Sequence, residues 1–129
     1  MKKISQIFII SFILNFIWEN LHAALYAGYQ GGKITEFILT RASLGDAIMI
    51  TVLLLPFIYV AWFQKRSWLI LILGVILSIL IEWYALNTGR WAYNVYMPII
   101  PFLNVGLTPT IQLGLLGYFT FWTMKRKVN

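Results

Sequence analysis

The sequence predicts an all-α membrane protein: four transmembrane helices, N and C termini cytoplasmic, and a Pro-rich outer connection between helices three and four. Three observations carry that prediction. Apolar residues make up 60% of the chain and charged residues only 11%, against roughly 25% charged in ordinary soluble domains. Four apolar stretches of about 20 residues, each about 30 Å long as a helix, account for most of the chain. They leave room for a single transmembrane domain over residues 1–129. Finally, Lys2, Lys3, Lys65, Arg66, Lys125, Arg126 and Lys127 fall at one end of these spans, and Lys33, Arg41 and Arg90 at the other. The side richer in Lys and Arg is the cytoplasmic one.

The first helix is expected over roughly Ile4 to Tyr29. Its positive and apolar regions resemble a signal peptide, but Asn15 and Glu19 interrupt the run and no small-residue cleavage site follows, so it is expected to stay as an uncleaved span. Gln30 to Gly32 reads as a flexible link, and Ile34, Phe37 and Ile38 as one face of a short interfacial helix. The second helix is expected over Leu44 to Gln64, with Ser43 and Asp46 of "SLGD" forming a capping box at its start. The third spans Ser67 to Thr88. In "GRWAYNVYMPIIPFLNVGLTP", Pro98, Pro101 and Pro109 forbid a continuous helix, while Ile99, Ile100, Phe102, Leu103 and Val105 stay apolar. Such backbone cannot face lipid unpaired, so it lies at the interface or folds onto the bundle as a lid. The fourth and shortest helix runs from Pro109 to Met124, with Thr108 as N-cap and Pro109 in the favoured first turn. Gly114 and Gly117 permit close helix approach there.

Composition also excludes functions. The chain has no cysteine, which removes disulfides, thiolate metal sites and cysteine nucleophiles. Its net charge of +6 comes from basic groups beside apolar spans, where anchoring accounts for them and nucleic-acid binding is not implied.

Polar residues converge at one level. Counting 1.5 Å per residue from the cytoplasmic ends, Glu19 and Glu82 each lie roughly 22 Å up and Gln112 roughly 18 Å up. Asp46 and His22 lie nearer the outer surface. Ser11, Asn15, Glu19, His22 and Tyr26 recur at helical spacing, so that stripe faces protein rather than lipid. Intramembrane acids are costly and mark functional sites, and Glu19, Glu82, Asp46 and His22 are the candidate catalytic residues. Asn15, Trp18, Trp83, Arg90, Trp91, Tyr93 and Gln112 are candidates for substrate binding, with aromatic faces suited to a cationic intermediate. Each has a plainer role open to it: Glu82 paired with Arg90, Arg90 on the carbonyl end of the third helix, Asn15 and Gln112 as glue between helices. Glu19 and His22 have the Glu-x-x-His spacing of di-iron bundles, but those need a second pair and two more carboxylates. No metal and no cofactor is therefore expected.

"WEN" with a downstream tyrosine, "RASLGDA", "GRWAYNVYMPIIP" and "VGLTPTIQ" together resemble a family of small four-span bacterial membrane proteins of uncharacterised activity. That resemblance implies a bacterial inner-membrane location. "NFIWENLHAALY" resembles the Asn-x-x-Trp-Glu segment of integral-membrane terpene cyclases, which implies that Glu19 initiates cyclisation as an acid. "EWYALNTGRWAYN" resembles a segment of small membrane carotenoid cyclases at Glu82, Gly89, Trp91, Tyr93 and Asn94, although "PTIQ" stands where their later acidic motif would be.

The expected function is an intramembrane enzyme acting by acid catalysis on an isoprenoid or other apolar lipid, with membrane lipid and that substrate as partners and a homo-oligomer left open. The alternatives are a small proton-coupled transporter and a noncatalytic membrane subunit. The predicted topology has a direct test. Cysteine introduced at Lys33 or Tyr96 should react with a membrane-impermeant reagent from outside intact cells, and reaction only after permeabilisation would invert the bundle.

Overall fold

A computed structural model describes residues 2–29 and 32–128. Four long helices dominate: α1 (Lys2–His22), α2 (Glu36–Tyr59), α4 (Leu69–Asn87) and α5 (Leu107–Val128), with a single turn, α3 (Ala61–Gln64), after α2. Four short strands, β1 (Tyr26–Tyr29), β2 (Trp91–Tyr93), β3 (Ile99–Ile100) and β4 (Val105–Gly106), form two antiparallel pairs at one end of the bundle. The chain is mostly helical rather than purely so. Three of its helical stretches, Lys2–Leu25, Glu36–Tyr59 and Leu69–Asn87, are long and apolar enough to cross a membrane.

Several boundaries differ from those the sequence suggests. The first helix ends at His22, passes through a 3-10 turn over Ala23–Leu25 and continues as strand β1. Strand β1 pairs with β2, Tyr26 opposite Tyr93 and Tyr29 opposite Trp91, with an irregularity between Tyr26 and Gly28. Backbone partners on β2 thus outcompete a further helical turn. The second helix starts at Glu36, eight residues before the expected Leu44. Thr35 is its N-cap, accepting from Ile38 N–H at 3.3 Å, with Glu36 in the first turn. The capping box at Ser43 and Asp46 is therefore overturned: both sit well inside the helix, and Ser43 Oγ donates back to the Leu39 carbonyl at 2.8 Å. Ile34 precedes this helix, and Phe37 and Ile38 belong to its first turn, not to a separate interfacial helix. Thr108 is likewise inside α5 rather than its cap. Gln30 and Gly31, read as part of a flexible link, lie outside the described residues.

Burial runs opposite to that of a soluble bundle. On α1 the inward residues are Ile7, Ser11, Asn15 and His22, while Ile9, Ile13, Ile17 and Leu21 are exposed one turn apart. Leu44, Ile48 and Val52 on α2 and Ile72, Ile76 and Leu80 on α4 repeat the pattern. Aliphatic stripes outside and hydroxyls and amides inside suit lipid as solvent. Helix α5 packs against α1, α2 and, most extensively, α4, whereas α2 and α4 meet at few points.

The end opposite the strands is a dry core of Ile7, Ile50, Leu54, Phe57, Ile70 and Met124. The Phe57 ring stands edge-on to Phe63 at 5.1 Å. Pro56 lies inside α2, and the helix stops at Val60, whose backbone is extended but whose N–H still reaches the Pro56 carbonyl at 2.9 Å.

Gly74 and Gly114 bring the backbones of α4 and α5 together. A Cβ on Gly74 would lie 2.3 Å from Gly114 Cα, and one on Gly114 would lie 2.7 Å from the Leu71 carbonyl oxygen. Gly74→Ala should therefore force the helices apart and cost about 1–3 kcal/mol, read as a lower melting temperature in detergent. Gly45→Ala is the control: nothing lies within 4 Å of a Cβ there, so better helix propensity should leave stability unchanged or raised by up to about 1 kcal/mol. Equal melting temperatures for both variants would show that the glycine contact does not hold α4 to α5.

Candidate functional site

At the strand end, buried polar groups from all four long helices meet. Gln112, on the inward face of α5, directs Nε2 to Asn15 Oδ1 at 2.9 Å, Glu19 Oε1 at 2.9 Å and Asp46 Oδ2 at 2.8 Å. Asn15 is oriented by its own helix, since its Nδ2 donates to the Ser11 carbonyl at 2.6 Å and leaves Oδ1 toward Gln112. An amide nitrogen has two hydrogens for these three acceptors. The Glu19 and Asp46 carboxyls thus converge on one amide group, from α1 and from the adjoining helix α2.

His22 extends the group outward. Its Nδ1 lies 2.9 Å from Thr108 Oγ1 and its Nε2 3.4 Å from Glu19 Oε2. With the ring hydrogen on Nε2, Thr108 donates to the imidazole and the imidazole donates to Glu19. The ring is fixed further by an edge contact with Tyr26 at 5.2 Å.

Glu82 is held by a second set of groups. Its Oε1 accepts from Tyr93 Oη at 2.5 Å, Trp91 Nε1 at 3.3 Å and Tyr26 Oη at 3.4 Å. Gly106 N–H donates to the Tyr93 oxygen at 3.0 Å, so the phenol hydrogen is directed to the carboxylate. This geometry depends on Gly106, where a Cβ would fall 2.7 Å from Met97 sulfur and 3.1 Å from the Tyr93 ring. Asn94 pins the same connection to α1's end, its Nδ2 donating to the Ala24 carbonyl at 2.5 Å and its N–H to Leu25 O at 2.9 Å. The segment carrying Pro98 and Pro101 is the β3–β4 hairpin, Ile99 opposite Gly106 and Ile100 opposite Val105. It lies over the ends of the helices.

Between α2 and α4 these groups border a cavity of about 410 Å³, within the usual range of about 300–1,000 Å³ for ligand sites. Glu19, Asp46, Glu82 and Gln112 share it with an apolar wall that includes Ile38, Met49 and Ile81. Tyr26 and Trp91 roof it, and Arg41 and Arg90 line it from exposed positions.

Of the residues singled out in the sequence, Glu19, Asp46, Glu82, Arg90, Trp91 and Gln112 line the cavity. His22, Asn15 and Tyr93 stand behind it, each bonded to a lining residue. Trp18 and Trp83 do not reach it. Trp18 packs against the apolar core, and Trp83 faces outward with Nε1 on the Leu103 carbonyl at 2.7 Å. Arg41, Tyr26, Thr108 and Ser78 are members that sequence reasoning passes over as site residues. Ser78 carries a usable signal, one turn before Glu82 on the same face of α4. Among the described residues, no group of three or more His, Cys, Asp or Glu side chains is arranged to hold a metal ion.

Comparison of the chain with protein-family models, with curated proteins and with solved structures finds no match.

Tyr93 makes the site sensitive to alkali. Burial, then its hydrogen bond to Glu82 and the repulsion between that carboxylate and a phenolate, push the Tyr93 phenol well above its usual 10.0. The folded state holds this proton more tightly than the unfolded one. The resulting stability is complete below pH 10.0 and is lost as pH climbs through the raised folded value. Tyr93→Phe should lower stability at neutral pH by about 1–3 kcal/mol, because Gly106 N–H loses its acceptor and Glu82 a donor. It should also flatten the alkaline fall in stability measured by denaturation at stepped pH. An unchanged alkaline slope would show that Tyr93 is not the group responsible.

Proposed function

We propose that the protein crosses a bacterial inner membrane four times, with both termini cytoplasmic, and acts there as an acid catalyst on an isoprenoid or other apolar lipid. The substrate enters sideways from the outer leaflet through the gap between α2 and α4. Helix α5 is the fourth span, enclosed by the three more apolar helices. The observation that carries this reading is the cavity itself: carboxyls from three helices border one largely apolar space.

The chemistry follows from the different surroundings of the acids. Glu19 and Asp46, joined through Gln112, share a proton; that proton passes to a carbon–carbon double bond of the substrate and leaves a carbocation. Glu82, whose Oε1 is held by three donors, supplies fixed negative charge opposite, and the Tyr26 and Trp91 rings add their π faces. Loss of a proton from a neighbouring carbon back to the carboxylate pair closes the cycle with no net gain of protons, giving an isomerised or cyclised product. His22, backed by Thr108, orients Glu19 and can return a proton to it. The strand pairs keep bulk water from the cation. The resemblance of the segment around Glu19 to membrane terpene cyclases is in keeping with this role.

A proton-coupled carrier is the second reading, because His22, Glu19, Gln112 and Asp46 form a connected line of polar side chains.

Purified protein in nanodiscs, incubated in deuterated water with linear polyprenes of graded length, should yield product carrying deuterium on carbon. Glu19→Gln and Asp46→Asn should each slow that incorporation by about 10²–10⁴-fold while the protein stays folded. Absence of product from every polyprene, together with proton-dependent solute flux in liposomes, would replace the enzyme by the carrier.

A further inference from the structure

The cavity contains more than an apolar substrate requires. Arg41, on α2, and Arg90, just beyond α4, both line it while remaining exposed, so two arginines border the gap between those helices; the Arg41 guanidinium carbon lies 6.0 Å from the Phe37 ring, one turn earlier on α2. The acids lie deeper, with Asp46 more than one helical turn along α2 from Arg41. From Arg41 to Met49 the wall runs roughly 12 Å along α2. Apolar side chains, Ile38, Met49 and Ile81 among them, line the space between.

One buried hydroxyl beside the cavity differs from the other buried hydroxyls. The buried hydroxyls of Ser43, Thr51, Thr110 and Thr120 each donate to a carbonyl one turn earlier in their own helix, at 2.6–2.8 Å. Ser78, 2% exposed and lining the cavity, has no hydrogen-bond partner among the described residues. Ser78 sits one helical turn before Glu82 on the same face of α4.

We infer that the natural ligand is an amphiphile with a phosphate-type head group, bound with the head on Arg41 and Arg90 and the apolar chain running inward past Ile38, Met49 and Ile81. The assignment rests on the lipid-binding reading above and adds the charge of the substrate. Guanidinium forks match phosphate oxygens in pairs, and arginine keeps its charge near lipid. The head group stays at head-group depth, held away from Glu19, Asp46 and Glu82, while the chain presents its carbons to them.

The test uses dodecyl phosphate, dodecanol and inorganic phosphate as probes, with the full chain in a neutral detergent and bound molecules counted by native mass spectrometry. Dodecyl phosphate should bind once per chain, at least about tenfold more tightly than dodecanol, and inorganic phosphate should not register. Arg41→Gln and Arg90→Gln should each remove that tenfold preference while the protein stays folded. Lys33→Gln, which alters an outer cation that does not line the cavity, should leave it intact. Ala42→Trp, which fills the gap, should abolish binding of both amphiphiles.

Equal binding of dodecyl phosphate and dodecanol, or indifference to both arginine variants, would overturn the head-group assignment and leave the apolar-lipid reading standing. Binding of inorganic phosphate as tight as that of dodecyl phosphate would make this a site for a free anion instead. If neither amphiphile bound, or Ala42→Trp changed nothing, both this inference and the lipid-binding reading would fall.

Discussion

One amide nitrogen governs the strand end of this bundle. Gln112 Nε2 sits 2.8–2.9 Å from oxygens of Asn15, Glu19 and Asp46, so a single side chain on α5 links two other helices. Taking it away would leave two carboxyls and an amide oxygen facing one another in apolar surroundings. Breaking a buried charged network in that way costs about 3–5 kcal/mol. The rotation of each helix follows from this contact. With Asn15 and Glu19 turned toward Gln112, α1 has to show Ile9, Ile13, Ile17 and Leu21 outward, and α2, with Asp46 turned inward, shows Leu44, Ile48 and Val52.

The two ends of the bundle do different work. Toward the chain termini, Ile7, Ile50, Leu54, Phe57 and Ile70 are fully or almost fully buried and make no polar demand. Toward the strands, Glu82, His22 and Gln112 are almost as buried but each needs partners from elsewhere in the chain. Dry packing at one end holds the helices while the polar end keeps its spacing, which suits a site that must exclude water without collapsing. The connection from Trp91 to Gly106 serves both purposes: Tyr93 stands behind the cavity, donates to Glu82 and is itself fixed by Gly106 N–H.

Much of this arrangement is legible in the amino-acid sequence. Helical spacing puts Asn15, Glu19 and His22 on one inward stripe, and counting residues puts Glu19, Glu82 and Gln112 at one level. Both inferences need only the 1.5 Å rise and the high cost of polar groups in lipid. The errors lie where a local motif competes with a distant partner. "SLGD" has the form of a capping box, yet Thr35 caps the helix earlier and Asp46 is drawn to Gln112. The run through Tyr29 has the form of a helix, yet strand β2, more than 60 residues further along, claims its backbone. Which carboxyl joins Glu19 at Gln112 is hidden for the same reason. Height along a helix follows from sequence, but rotation about its axis and the identity of the neighbour follow from packing. Trp83 shows this plainly, since it adjoins Glu82 in sequence and faces outward, while Trp18, beside Glu19, lies against the His22 ring and the apolar core rather than in the cavity.

The glycine contact between α4 and α5 also bears on how copies of this chain can assemble. Two helices whose backbones touch at Gly74 and Gly114 are held close together, while α2 and α4 meet at few points. The thinly packed seam between α2 and α4 is the one beside the cavity. If molecules pass through that seam, it needs open bilayer beside it. Any symmetric assembly then has to pair through the α1 side, where the aliphatic ladder from Ile9 to Leu21 is available, and turn each seam toward the periphery. A ring with its seams facing the centre would shut every protomer off from the lipid that supplies it.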